Sequence, residues 1–149
     1  MFILGLNAYH GDSSACILKD GELIVAIEEE RIRRIKHWAG FPIESIKFCL
    51  DECGISIDEV DHITISRDPS ANIYRKITHS LKNLVSFKAL KDRLSNTRRV
   101  SSLKTELSTA FDINEEKIKA VIHNVEHHRS HMASAFFASP FEESAVLSI

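Results

Sequence analysis

Residues 2–31, FILGLNAYHGDSSACILKDGELIVAIEEER, decide the fold. Two runs rich in Ile and Leu, Phe2–Leu6 and Ala15–Leu18, flank the polar loop Asn7-Ala-Tyr-His-Gly-Asp-Ser-Ser14. Lys19-Asp-Gly-Glu22 then turns the chain into a third apolar run, Leu23–Ile27. This pattern predicts three antiparallel strands. Asp20-Gly21 supplies the positive φ that a tight hairpin needs, whereas the first connection is longer and carries His10, Asp12, Ser13 and Ser14. A plain hairpin needs no such side chains at its tip, so the loop reads either as a ligand-facing element or as an ordinary solvated turn.

Outward from this stretch, residues 28–42 are dense in charge, with the one Trp of the chain and a Gly before Phe41-Pro42. The segment is either a salt-bridged surface turn or a substrate-facing loop, and composition leaves both open. Pro42 suits the first helical position, and Ile43, Ile46, Cys49, Leu50 and Cys53 follow at helical spacing until Gly54 stops the run. Ser56-Ile-Asp-Glu59 has the form of a capping box, and Asp61–Ser66 alternates as a strand does. Two helical patterns follow, over 73–94 and over 100–111, joined near Ser95-Asn-Thr97; they interrupt the strand pattern and look like an insertion or a cap at about 71–112. Lys119–Val125 reads as a short strand, Glu126–Phe137 as a helix, and 144–149 as a final apolar strand that joins the sheet in parallel. Because the sequence stops inside that apolar run, a fragment of a longer protein is expected.

At 149 residues, with 44% hydrophobic and 27% charged residues, the chain has enough apolar surface for a globular core of about one domain. No apolar run is long enough to span a membrane and no basic region precedes an apolar one, so a cytoplasmic protein is expected. The three cysteines, Cys16, Cys49 and Cys53, lie within apolar patterns, which suits reduced, buried thiols better than a disulfide framework. Cys49 and Cys53 share a helical face, yet two thiolates alone make a poor metal site. Net charge is −2 but uneven: residues 1–60 hold eleven acids and six bases, and residues 67–104 hold ten bases and two acids. The basic middle favours anionic ligands or is a solvated helical face. Neither nucleic acid nor a membrane is expected as a partner.

The sharpest chemistry lies in Val125-Glu-His-His-Arg-Ser-His-Met-Ala-Ser-Ala-Phe-Phe137. On a helix His127 and His131 are four apart, one turn above each other on one face, where both imidazoles can reach one metal ion. His128 points elsewhere. A metalloprotease reading fails, because the residue after the first His of the pair is His128 and not Glu. Two histidines also leave the coordination sphere short, so further ligands would have to come from other segments.

Two segments, ILGLNAYHGDSSACILKDGELIVAIEEERIRRIKHWAGFP at residues 3–42 and VEHHRSHMASAFFASPFEESAVLSI at residues 125–149, together resemble the N-terminal part of the NodU/CmcH-type carbamoyltransferases. The resemblance rests on an AYHGD loop, an EEER…KHxxGFP segment and an HHxSHxxSAF helix in that order; residues 67–118 carry no motif of the family. It implies an α/β fold, a subdomain of the actin/Hsp70-like ATPase (ribonuclease H-like) class with a mixed sheet, an N-terminal antiparallel meander and flanking helices. In that class a strand, polar loop and strand at the N-terminus present a phosphate-facing loop. Residues 1–149 would then be the N-terminal part of a Kae1-like carbamoyltransferase domain, with a YrdC-like domain absent from this chain.

The implied activity is O-carbamoyl transfer. The YrdC-like part of such enzymes makes carbamoyl adenylate from carbamoyl phosphate and ATP, with Mg2+ accompanying the ATP, and the Kae1-like part moves the carbamoyl group onto the hydroxyl of a small molecule or sugar. The fragment alone would be inactive. Carried over by motif, His127 and His131 correspond to the family's metal-binding pair, with iron (Fe2+) as the ion; its next ligands, two Asp residues, would lie beyond Ile149. His10 matches the loop histidine taken as general base on the acceptor hydroxyl, a role an imidazole can fill near neutral pH. Relatives write this loop Tyr-His-Asp-Ser, so Gly11 is extra here, and Asp12 and Ser13 would face the ligand. Lys36 and His37 match motif positions that read either as binders of an anionic group or as surface loop.

Two other classes compete with the transferase. A non-catalytic or split nucleotide-fold module fits the missing carboxylates and the absent second domain. A sugar kinase or ATPase of the same fold would use the N-terminal loop for ATP phosphates, but it has no need of the His127/His131 pair.

Overall fold

The computed structural model describes residues 1–9, 11–67 and 103–148. The chain divides into two compact units, Met1–Asp68 with Lys119–Ile149, and Pro69–Ile118.

The first unit is built on the N-terminal meander. Strands β1 (Phe2–Asn7), β2 (Ser14–Lys19) and β3 (Glu22–Glu28) pair antiparallel in sequence, with Gly5 opposite Cys16 and Cys16 opposite Ala26. A short helix, α1 (Glu29–Arg33), and a longer one, α2 (Ile43–Cys53), lead to β4 (His62–Ile65), which adds parallel to the free side of β1. Strand β5 (Val121–Asn124) adds parallel to β4, giving the order β3-β2-β1-β4-β5. The last helix of the unit, here α4, covers His127–Phe137. The expected mixed sheet, antiparallel meander and flanking helices are therefore present.

Alternation along the strands sorts side chains to two faces. Leu4, Leu6, Ala15, Ile17, Ile63 and Ile65 are buried on one face, and Ile46, Cys49 and Leu50 of α2 are buried with them. Each such Leu or Ile stabilises the fold by about 1.5–3 kcal/mol. Gly54 ends α2 in the left-handed conformation, φ 63°, and its N–H reaches Asp51 O and Leu50 O. Helix α2 starts at Ile43, one residue after the predicted Pro42, which instead sits at the cap. The capping box forms as expected: Ser56 and Glu59 bond each other's backbone around the 3-10 turn Ile57–Glu59. Cys16, Cys49 and Cys53 are free thiols.

The parallel strand expected over 144–149 does not form: residues 144–148 have no regular structure, and Leu147 is 82% exposed. The apolar run has the composition of a strand but pairs with no neighbour among the described residues, and a strand without a ladder leaves its N–H and C=O groups unsatisfied.

In the second unit, α3 (Leu103–Phe111) is followed by a 3-10 turn, Glu115–Lys117. Ser108 Oγ donates to Ile113 O at 2.6 Å and Lys104 Nζ to Ile118 O at 2.9 Å, which ties the helix to the turn. The helix expected over 73–94, and most of the insertion expected at about 71–112, lie outside the described residues. Among the described residues no helix is long and apolar enough to cross a membrane.

Candidate active-site groove

The sheet face opposite α2 carries small residues. Gly5, Cys16 and Thr64 are neighbours there across β2, β1 and β4, and they floor a groove of about 790 Å³. A Cβ at Gly5 would stand 2.7 Å from Cys16 Sγ, so only glycine lets the thiol lie across the strand. Burial pushes the Cys16 thiol above its ordinary 9.0, partly offset by a hydrogen bond from Gly5, and the Cys49 thiol is pushed up to about 12 by burial. Both are therefore protonated at neutral pH, which makes neither a nucleophile.

One wall of the groove is α4, with His127, Ser130, His131 and Ser134 facing it. The helix follows β5 almost directly, and Glu126 caps it by accepting from Arg129 N at 3.0 Å. That hydrogen bond holds the Glu126 carboxyl below its usual value. One turn apart, His127 Nε2 and His131 Nε2 lie 3.0 Å from each other, with the rings edge to face at 87°. This is a hydrogen bond between the rings, and because two ligands each about 2.05 Å from one ion at right angles would stand roughly 2.9 Å apart, the same spacing would suit adjacent metal ligands. His128 points away, its Nδ1 3.1 Å from Ser148 Oγ.

The rim is formed by the β1–β2 loop and the segment after β3. Asn7 lines the groove, donates from Nδ2 to Asp12 O at 2.9 Å and accepts at Oδ1 from Ser66 Oγ at 2.9 Å. Ser13, expected to face a ligand, is wholly enclosed: its hydroxyl donates to Gly40 O at 2.8 Å and its N–H to Trp38 O at 3.1 Å. Its place is that of a fastener between loops, because the tight approach of residues 38–40 leaves it no path to solvent. Asp12 is exposed and lies 2.9 Å, Oδ1 to Nδ1, from His37, whose own N–H donates to Glu30 Oε2 at 3.0 Å. The hydrogen bond and charge of Asp12 raise the His37 pKa above its ordinary 6.5. Lys36 is exposed beside them. His10 lies outside the described residues.

Sequence reasoning missed the residue that holds this rim. Glu29 is fully buried and charged, and its carboxylate accepts from Arg33 Nε, Glu44 N, Ser45 N and Ser45 Oγ. Burial works to raise its pKa, but these hydrogen bonds outweigh burial and leave it lowered. It thereby caps the N-terminus of α2, where Pro42 has no side-chain cap to offer, and its own N–H donates to Ser13 O. The Glu29/Arg33 spacing of four on a helix was a readable signal. Arg33 also lies 4.5 Å over the Trp38 ring, a cation–π contact.

The family model described as Carbamoyltransferase N-terminus matches residues 2–149. The chain belongs to this carbamoyltransferase family. Among curated proteins it is 40% identical to the uncharacterized protein sll1178 of Synechocystis, over 97% of this chain and 24% of that protein. It is 31% identical to the nodulation protein NolNO of Sinorhizobium fredii, over 96% of this chain and 20% of that protein. The chain thus spans about a quarter to a fifth of the length of these relatives. Among solved structures it is similar to YeaZ from Pseudomonas aeruginosa, with a TM-score of 0.45 and 14% identity over 92% of this chain and 48% of that one. In this carbamoyltransferase N-terminus, then, the His127/His131 wall and the Asp12/His37 rim belong to one compact unit, linked through Asn7.

Proposed function

We propose that this chain is the N-terminal part of an O-carbamoyltransferase whose groove receives an activated carbamoyl group and an acceptor hydroxyl. The observation that carries the reading is the His127/His131 pair, set at metal-ligand spacing on the wall of a groove in a chain that matches the carbamoyltransferase family from end to end. Carbamoyl adenylate, made from carbamoyl phosphate and ATP with Mg2+ by a YrdC-like domain outside this chain, is the proposed donor. The acceptor is a hydroxyl-bearing small molecule or sugar.

His127 and His131 would hold an iron(II) ion, completed by ligands from outside the chain. Held there, the ion would supply positive charge to the carbamoyl oxygen. His10 takes the proton of the acceptor hydroxyl as that oxygen bonds to the carbamoyl carbon. The bond from the carbamoyl carbon to the adenylate oxygen breaks, and AMP leaves with the electron pair. Arg31, which lines the groove and is paired with Glu28 at 3.4 Å, offers a guanidinium to the departing phosphate. Asp12, Lys36 and His37 position the ligand at the rim, and Ser13 acts through the loop it fastens.

The test is product analysis of the full-length protein with ATP and a panel of amino sugars and glycosides, with and without carbamoyl phosphate. The reading predicts an acceptor heavier by one carbamoyl group, formed only when both carbamoyl phosphate and ATP are present, with AMP, pyrophosphate and the orthophosphate of carbamoyl phosphate released. A phosphorylated acceptor and ADP, formed without carbamoyl phosphate, would make the protein a sugar kinase of the same fold. No turnover of either kind would favour a non-catalytic module.

A further inference from the structure

The rim of the groove holds a second group of metal-ligating side chains. Asp12, Glu30 and His37 bring two carboxylate oxygens and one imidazole nitrogen within 4.8 Å of one another. The three come from different places: the β1–β2 loop, helix α1, and the segment after it. Each stands next to a residue that the fold immobilises. Ser13 beside Asp12 and Glu29 beside Glu30 are both fully buried and hydrogen-bonded to other segments, and Trp38 beside His37 is packed beneath Arg33. The ligating atoms are therefore brought together by the scaffold and need little ordering to act jointly.

We propose that Asp12, Glu30 and His37 form a binding site for a divalent transition-metal cation, separate from the His127/His131 pair. A set of one nitrogen and two oxygens suits Zn2+, Mn2+, Fe2+ or Co2+ better than Ca2+ or Mg2+, which take oxygen ligands. The two carboxylates neutralise the ion, and three protein ligands leave positions open for water or for a ligand oxyanion. His37 Nδ1 and Asp12 Oδ1 lie 2.9 Å apart, so a cation bound between them takes the place of their hydrogen bond. Arg31, whose Nη2 is 3.9 Å from Glu30 Oε1, and the neighbouring Lys36 are the cations that oppose it. Asn7, which lines the groove, donates from Nδ2 to the carbonyl of Asp12 and so connects the groove to this site.

Trp38 is the one tryptophan of the chain and adjoins His37, so its fluorescence reports on this site. The experiment titrates Co2+, which quenches indole emission at short range, into the 149-residue chain carrying His127→Ala and His131→Ala, a background without the other pair. Saturable quenching of Trp38 is expected, and Asp12→Asn or Glu30→Gln added to that background weakens it roughly a hundredfold. Far-ultraviolet circular dichroism confirms that each variant is folded, and either one serves if the other is not. Absence of saturable quenching in the background lacking His127 and His131, or quenching indifferent to both carboxamide variants, overturns the second site. Quenching seen only while His127 and His131 are present places the ion at that pair and also overturns it. The outcome is independent of carbamoyl transfer, which is read on the full-length protein.

Discussion

Glu29 shows how one side chain can join the fold to the site. Its carboxylate ties α1 to the N-terminus of α2, and its N–H ties the same point to Ser13, so the loop bearing Asp12 and the segment bearing His37 share one anchor. Replacing it by Gln removes the charge that Arg33 and the helix N-terminus face and leaves buried donors short of acceptors. Glu29→Gln is expected to cost about 3 kcal/mol in chemical denaturation. The pH dependence follows from the direction of its shift. The folded-state pKa lies below the ordinary 4.5, so the stabilisation is present above 4.5 and is lost as the pH falls through the folded value. Wild-type stability should therefore decline in that range more steeply than that of Glu29→Gln; parallel curves would mean that the carboxylate contributes no net electrostatic stabilisation. Motif reading singled out Asp12, His37, His127 and His131 by residue type and spacing, and the structure sets the first two 2.9 Å apart and the second two 3.0 Å apart. It could not find that Ser13 is enclosed or that Glu29 is the anchor, since both depend on contacts between segments far apart in sequence.

Among the elements, the meander, α2 and its glycine stop, β4, β5 and α4 were all legible, because their hydrophobic periods of two or 3.6 are local properties. The parallel strand over 144–149 was not, because an apolar run becomes a strand only beside a partner. Strand β1 carries the sharpest packing constraint on the groove floor, at Gly5. A glycine inside a strand ordinarily weakens it, so alanine would be expected to help. Here the added methyl meets Cys16 Sγ at 2.7 Å. Gly5→Ala should thus destabilise the protein by about 1–3 kcal/mol, and the Gly5→Ala/Cys16→Ala double variant should lose less than the sum of the single changes. Strict additivity in the double-mutant cycle would show that the two side chains do not compete for the same space.

For the whole molecule, the 149 residues provide one wall, the floor and part of the rim of a groove, and they span about a quarter to a fifth of the relatives they match. The account therefore stands on what His127 and His131 do in the full-length protein. Their rings face one another on one side of α4, whereas His128 lies about 100° around the helix. The most direct test is elemental analysis of iron in the full-length wild type, His131→Ala and His128→Ala, purified side by side, with carbamoyl transfer and carbamoyl-phosphate-dependent ATP cleavage measured on the same samples. The account predicts that His131→Ala loses its iron and nearly all transfer while keeping ATP cleavage, and that His128→Ala retains all three. Equal iron in wild type and His131→Ala would contradict it and make His131 a packing or hydrogen-bonding histidine rather than a ligand.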